Sequence, residues 1–180
     1  MATSDSSLHA PVRPARVLSI AGSDSGGGAG IQADLKTFSA LGCYGMTAIT
    51  ALTAQNTLGV SGIHAVPAAF LRAQIDAVVQ DIGVDAVKIG MLHTPEVVGV
   101  VADAIERHAL QRVVLDPVMV ATSGDRLVLQ ETVALMVRNL FPRVALVTPN
   151  LDEAAWLLGR PIEGASALDA AADALLALGA

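Results

Sequence analysis

Short apolar runs alternate with longer segments of helical period along most of the chain. The β-branched runs predict strands at 17–21, 45–52, 86–89, 113–115 and 144–148, with a short edge strand at 63–66. The Ala- and Leu-rich segments predict helices at 30–41, 68–81, 95–108, 131–139, 151–158 and 166–178. Strands that alternate with helices form βα units on a parallel sheet, so we expect an α/β domain over residues 16–180.

Two of the predicted helices carry clear start signals. Thr94 precedes a proline at the first helical position, with Glu96 behind it. Asn150 precedes the other helix and is followed by Asp152 and Glu153, which suit the positive end of the helix dipole.

The composition favours a soluble, packed domain. Hydrophobic residues make up 53% of the chain and charged residues 16%, and acidic residues interrupt the apolar runs before they reach a bilayer-spanning length. The net charge of −6 comes without a basic stripe, which argues against nucleic-acid binding. Residues 1–15 are rich in Ser, Pro and Ala and lack the apolar stretch of a secretory signal, so we expect a disordered tail and a cytoplasmic protein.

Small or polar residues follow the predicted strands. Ligands of open parallel sheets bind beyond the carboxyl ends of the strands, so these residues are the first candidates for a site. In chain order they are Gly22, Ser23 and Asp24, then Gln55 and Asn56, then Gly90 and Met91, then Asp116, and finally Asn150.

The segment 22–34, GSDSGGGAGIQAD, is a glycine-rich turn that opens a helix. Its backbone N–H groups and the helix dipole can receive an anion or a polar ligand. It is not a Walker A loop, and a dinucleotide-binding role is disfavoured because no acidic residue occurs between Asp34 and Asp76 to hold a ribose. The alternative is a tight connection whose glycines serve packing, but a pure turn would need neither Asp24 nor Asp34.

Gln55 and Met91 are candidates for contacts with a ring. The amide of Gln55 both donates and accepts, which suits the edge of an aminopyrimidine, whereas the alternative is ordinary strand termination by Gln55 and Asn56. The polarizable sulfur of Met91 could cover an aromatic ring, although methionine is more often plain core.

Asp116 and Glu153 are candidates for a metal-phosphate site. Each follows a predicted strand, and Mg²⁺ prefers oxygen ligands of this kind. For Glu153 the alternative is stabilisation of the first helical turn. Asp116 ends a buried strand, where a carboxylate without a partner carries a desolvation cost.

Five segments, in their order and spacing, resemble the hydroxymethylpyrimidine/phosphomethylpyrimidine kinase family, a ribokinase-like group. They are AGSDSGGGAGIQADLKTF at 21–38, TALTAQN at 50–56, KIGM at 88–91, LDPVM at 115–119 and TPN at 148–150 with Glu153. The resemblance covers residues 16–180 and implies a three-layer α/β/α fold with a mostly parallel central sheet.

The resemblance also implies a function. The family phosphorylates hydroxymethylpyrimidine and then its monophosphate in thiamine biosynthesis, with ATP and Mg²⁺, commonly as a dimer, and some relatives accept pyridoxal-type substrates. The residues implied for the pyrimidine pocket are Gly22, Ala29, Asp34, Gln55, Met91 and Val118. Asp116 and Glu153 are implied near the ATP phosphates and Mg²⁺, with Asn150 in support.

The family pattern continues with a further strand, which ends in Lys-Gly-Gly, and with a Gly-Thr-Gly-Cys turn that opens a helix. The present sequence stops at Ala180. Because that turn forms the anion hole for the transferred phosphoryl group and carries a cysteine proposed to act on the substrate hydroxyl, we expect no catalytic residue in this chain and a fold that lacks its C-terminal strands and helices. Two hypotheses stay open: a kinase with a truncated chain, and a non-catalytic pyrimidine-binding module or fragment.

Overall fold

The computed structural model describes residues 13–120 and 127–179. The strands are β1 Arg16–Asp24, β2 Tyr44–Asn56, β3 Gly59–Ala65, β4 Ala86–Ile89, β5 Val113–Leu115 and β6 Leu146–Val147. The α-helices are α1 Gly30–Ala40, α2 Ala68–Asp81, α3 Pro95–Arg107, α4 Gln130–Asn139, α5 Leu151–Leu158 and α6 Leu168–Leu176. Short 3-10 turns at Phe141–Arg143 and Ala165–Ala167 precede β6 and α6.

Every predicted strand and helix is present, and β4, β5, α2 and α5 have the predicted bounds. β2 runs to Asn56, beyond the predicted end at 52, because it pairs with the edge strand β3 as far as Asn56 opposite Gly59. β6 covers two residues where five were predicted. The predicted start of α3 is confirmed, since the Thr94 hydroxyl accepts a hydrogen bond from the backbone N–H of Val97.

The sheet has the order β3-β2-β1-β4-β5-β6. β1 pairs in parallel with both β2 and β4, and β4, β5 and β6 continue the parallel run, whereas β3 is antiparallel to β2. This arrangement confirms the expected α/β fold with a mostly parallel sheet.

The two faces of the sheet differ in character because successive side chains of a strand point to opposite sides. Leu18 and Ile20 of β1 and Ile89 of β4 are fully buried and pack into the main core with apolar side chains of α2, α3 and α4. The intervening residues Ser19 and Lys88 point to the other face, where Ser19 bonds to a side chain of α1. Helices thus cover both faces, and the α1 face carries polar groups.

Residues 13–15, which the sequence assigned to the tail, contact the domain. The Arg13 guanidinium lies 3.1 Å from a carboxylate oxygen of Asp85, and the carbonyl of Ala15 accepts a hydrogen bond from the N–H of Tyr44. Asp85 also pairs with Arg16, whose side-chain hydrogen bond lowers the pKa of that carboxyl well below its usual range. Residues 1–12 of the predicted tail lie outside the described residues.

None of the helices in residues 13–120 and 127–179 is both long enough and apolar enough to cross a membrane.

Candidate functional site

A cavity of about 300 Å³ opens beyond the carboxyl ends of β1, β2, β4 and β5. Parallel strands deliver their carboxyl ends to one edge of the sheet, which is where ligands of such sheets bind. All six residues that the family resemblance implies for a pyrimidine pocket line this cavity: Gly22, Ala29, Asp34, Gln55, Met91 and Val118. Asp116 lines the same cavity.

The glycine-rich loop is held by the carboxylate of Asp24. One oxygen accepts the N–H of Gly26 at 2.7 Å, and the other accepts the N–H groups of Gly28 and Ala29, both at 2.9 Å. Asp24 is 6% exposed. These three donors are therefore already satisfied by the protein, so the prediction that the loop receives an anion or a polar ligand does not rest on them. The view that a pure turn would not need Asp24 is wrong, because its carboxylate closes the turn.

Close packing ties the start of α1 to β1. Gly30 has a φ of +56°, and a Cβ at this position would overlap the carbonyl oxygen of Gly22. The side chain of Gln32 accepts a hydrogen bond from the N–H of Asp24 and donates one to the hydroxyl of Ser23, both at 2.8 Å. These contacts hold α1, and with it Asp34, at a defined distance from the strand.

Asp34, Lys88 and Asp116 form a row of charged side chains along the cavity, and Ser19 supports the row from beneath. The hydroxyl of Ser19 donates a hydrogen bond of 2.6 Å to Oδ2 of Asp34. The ammonium of Lys88 lies 3.3 Å from Oδ1 of Asp34 and 3.4 Å from Oδ2 of Asp116. Ser19 and Lys88 are direct neighbours in the pairing of β1 with β4.

Sequence reasoning missed Lys88, which lines the cavity, and missed Ser19 and Gln32, which hold Asp34 and the glycine-rich loop from outside it. For Lys88 a signal existed, because a lysine inside the short apolar strand AVKI must either reach solvent or find a partner. Nothing in the sequence shows which carboxylates it meets, since Asp34 and Asp116 are far from it along the chain.

Gln55 faces the cavity at the end of β2. Its Oε1 lies 3.1 Å from the hydroxyl of Thr53, and its backbone N–H donates to the hydroxyl of Ser25 at 2.8 Å. Within the described residues no protein partner is found for Nε2 of Gln55, so this donor of the half-buried side chain is accessible from the cavity. Asn56 serves the turn instead, because its Oδ1 accepts the N–H of Leu58.

Met91 belongs to both the core and the cavity wall. It is 7% exposed and packs in a small apolar cluster against which Val118 lies. The hydroxyl of Thr50 donates to the carbonyl of Met91 at 2.8 Å, which fixes the segment after β4. A Cβ on Gly22 would lie 2.7 Å from Cε of Met91, so the absence of a side chain at Gly22 leaves the room that the methionine occupies.

Asn150 and Glu153 form the first turn of α5. The side chain of Asn150 accepts the N–H of Glu153, and Oε2 of Glu153 accepts the N–H of Asn150, each at 2.9 Å. This reciprocal capping confirms the predicted helix start. Neither residue is among those that line the cavity, so the structure brings Asp116, but not these two, together with the six pocket residues.

Glu153 is nevertheless electrostatically linked to the site. Burial raises the pKa of its carboxyl, the nearby charge of Asp116 acts in the same direction, and the N–H groups of Asn150 and Met119 oppose the rise. Across residues 13–120 and 127–179, no three His, Cys, Asp or Glu side chains are grouped so that they could hold a metal ion. The metal role of Asp116 and Glu153 remains a prediction.

The chain is similar to known pyrimidine kinases. A family model described as phosphomethylpyrimidine kinase matches residues 24–180. A hydroxymethylpyrimidine/phosphomethylpyrimidine kinase from Rhizobium meliloti (strain 1021) is 55% identical over 164 residues, which make up 91% of this chain and 61% of that protein.

Two solved structures share the fold. The crystal structure of phosphomethylpyrimidine kinase from Clostridium difficile 630 matches with a TM-score of 0.85 and 42% identity, over 92% of this chain and 71% of the other. The pyridoxal kinase from Staphylococcus aureus in complex with AMP-PCP and pyridoxal matches with a TM-score of 0.81 and 37% identity, over 93% of this chain and 60% of the other.

These similarities agree with the ribokinase-like α/β architecture. The chain spans about three fifths of the length of the Rhizobium relative. Because the family model matches most of its residues, the chain belongs to the phosphomethylpyrimidine kinase family.

Proposed function

We propose that the cavity binds an aminopyrimidine, and that the chain contributes this site to an ATP-dependent kinase of thiamine biosynthesis. The substrates would be 4-amino-5-hydroxymethyl-2-methylpyrimidine and its monophosphate. One observation carries the proposal: the six residues that the family resemblance implies for a pyrimidine pocket come from separate segments and line a single cavity.

The lining of the cavity suits such a ring. A volume of about 300 Å³ accommodates a small heterocycle. Met91 and Val118 offer apolar surface to its faces, and the amide of Gln55 can pair with a ring nitrogen and its neighbouring amino group. The carboxylate of Asp34 adds a hydrogen-bond acceptor that is only 13% exposed.

Asp116 would mark the side of the cavity that faces ATP and Mg²⁺. Magnesium is usually held by one or two carboxylates together with water and substrate phosphates, and Asp116 meets that requirement. Asn150 and Glu153 cap each other at the first turn of α5, so Asn150 would fix the position of the Glu153 carboxylate, which would stand with Asp116 near the metal. Bound Mg-ATP would supply the phosphoryl group and neutralise charge in its transfer.

Calorimetry on the chain tests the binding step. We expect 4-amino-5-hydroxymethyl-2-methylpyrimidine to bind, and Gln55→Ala to weaken it, whereas the exposed turn variant Asn56→Ala should not. An ATP-consumption assay with Mg²⁺ and the same pyrimidine, on the intact protein, tests the reaction. Absence of binding to the wild-type chain would contradict the proposed function, and binding without turnover would favour a non-catalytic module.

A pyridoxal-type substrate is the second candidate, since the chain is 37% identical to a pyridoxal kinase solved with pyridoxal. Competition between the two ligands in the same calorimetric experiment distinguishes them. If pyridoxal binds more tightly than the aminopyrimidine, pyridoxal is the better candidate for the substrate.

We further expect a cytoplasmic protein that acts on small molecules, without a nucleic-acid or membrane partner, and that forms a homodimer. Analytical ultracentrifugation of the intact protein measures the oligomeric state.

A further inference from the structure

Lys88 stands between the two carboxylates of the cavity. Its Nζ lies 3.3 Å from Asp34 and 3.4 Å from Asp116, so neither carboxylate is its preferred partner by distance. The Lys88 side chain is 24% exposed, which is less than Asp116 at 34% and more than Asp34 at 13%. The ammonium is therefore shared within a partly desolvated row, where interactions between charges are stronger than in water.

The two carboxylates have different freedom to move. Asp34 is fixed on its other side, because Oδ2 accepts the hydroxyl of Ser19, which is fully buried in β1. For Asp116, the ion pair with Lys88 is the only side-chain hydrogen bond or ion pair found in the described residues, and its charge also acts on the Glu153 carboxyl. A change at Asp116 therefore alters the ion pairing of Lys88. Because Asp34 is held in place by Ser19, the altered pairing changes the charge environment of the Asp34 carboxylate.

We propose that Lys88 is a positioning residue that couples the Asp116 side of the cavity to Asp34 on the other side. When Asp116 turns to another cation or loses its charge, the ammonium pairs with Asp34 alone. Asp34 is then a weaker acceptor for a ligand in the cavity. The proposal rests on the proposed function only for the identity of that ligand, the aminopyrimidine.

A double-mutant cycle measures the coupling. The aminopyrimidine is titrated by calorimetry into the wild-type chain, Asp116→Asn, Lys88→Met and the variant that carries both changes. We expect Asp116→Asn to weaken binding at least threefold when Lys88 is present and to change it less than 1.5-fold when Lys88 is replaced by Met. Lys88→Arg retains the charge and should restore part of the coupling. Asp152→Asn, an exposed acid in the first turn of α5, is the matched control and should leave affinity unchanged.

A ligand-free readout separates this inference from the proposed function. In carbon NMR the chemical shift of the Asp34 Cγ should change when Asp116→Asn is introduced into the wild type. It should not change when Asp116→Asn is introduced into the Lys88→Met variant. Equal effects of Asp116→Asn in both backgrounds, by calorimetry or by NMR, would overturn the coupling. If the wild-type chain fails to bind the pyrimidine, the proposed function is wrong and the NMR comparison alone decides the role of Lys88.

Discussion

The glycine-rich loop should depend on one carboxylate, that of Asp24. Replacing Asp24 by Ala removes the acceptor of three backbone N–H groups, at 2.7, 2.9 and 2.9 Å. A hydrogen bond to a charged group contributes about 1.5–3 kcal/mol, and its loss costs most when the donor is left buried without a partner. The donors here belong to exposed residues, Gly26, Gly28 and Ala29, which water can reach once the carboxylate is gone. We therefore expect the free energy of unfolding to fall by about 2–4 kcal/mol, well below the sum of three full losses.

Denaturant unfolding of the purified chain measures this loss. Asp24→Asn should fall between the wild type and Asp24→Ala, because the amide retains one oxygen as an acceptor. Asp81→Ala, at the exposed end of α2, is the matched control and should change the midpoint little. Since Ala29 and Gly30 line the cavity, pyrimidine affinity should fall together with stability in the Asp24 variants.

The prediction is wrong if the free energy of unfolding of Asp24→Ala lies within about 0.5 kcal/mol of the wild-type value, which is the range of ordinary surface substitutions. That result would mean that water satisfies the loop donors as well as the carboxylate does.

Three further changes probe the cavity and its surroundings. Gln55→Ala should weaken aminopyrimidine binding by about 1–3 kcal/mol in calorimetry, the usual cost of an unpaired polar group, and unchanged affinity would remove Gln55 from the site. Gly22→Ala should also weaken binding, because the new Cβ lies 2.7 Å from Cε of Met91 and displaces that methyl toward the cavity; Met91→Leu in the same chain should recover part of the affinity. Burial raises the folded-state pKa of Glu153 above its ordinary 4.5, so its contribution to stability is lost as pH rises from that value through the folded pKa. Glu153→Gln should flatten this part of the plot of unfolding free energy against pH. It should also lower the rate of phosphoryl transfer in the intact protein and leave pyrimidine affinity unchanged. A pH dependence of stability equal to that of the wild type would show that the Glu153 carboxyl is not desolvated.

The order of strands and helices was readable from the sequence because burial on a sheet or a helix repeats with a short period. Ala68–Asp81 and Leu151–Leu158 were bounded correctly by that period and by the residues at their ends. The membership of the cavity was also predictable in large part. Gly22, Gln55 and Met91 lie at or near the carboxyl ends of β1, β2 and β4, and parallel strands bring such positions to one edge whatever their separation along the chain.

The hydrogen-bond and ion-pair partners of the cavity residues could not be predicted from the sequence. They depend on the register between strands and on distances of a few tenths of an ångström. Lys88 meets Asp34 because β4 pairs with β1 in a register that places it beside Ser19, and a shift of one residue would turn its side chain into the apolar core. Asp24 closes the glycine loop through contacts that only the folded turn creates. Local periodicity thus selects which residues reach the edge of the sheet, whereas long-range packing selects which charges and donors remain open there.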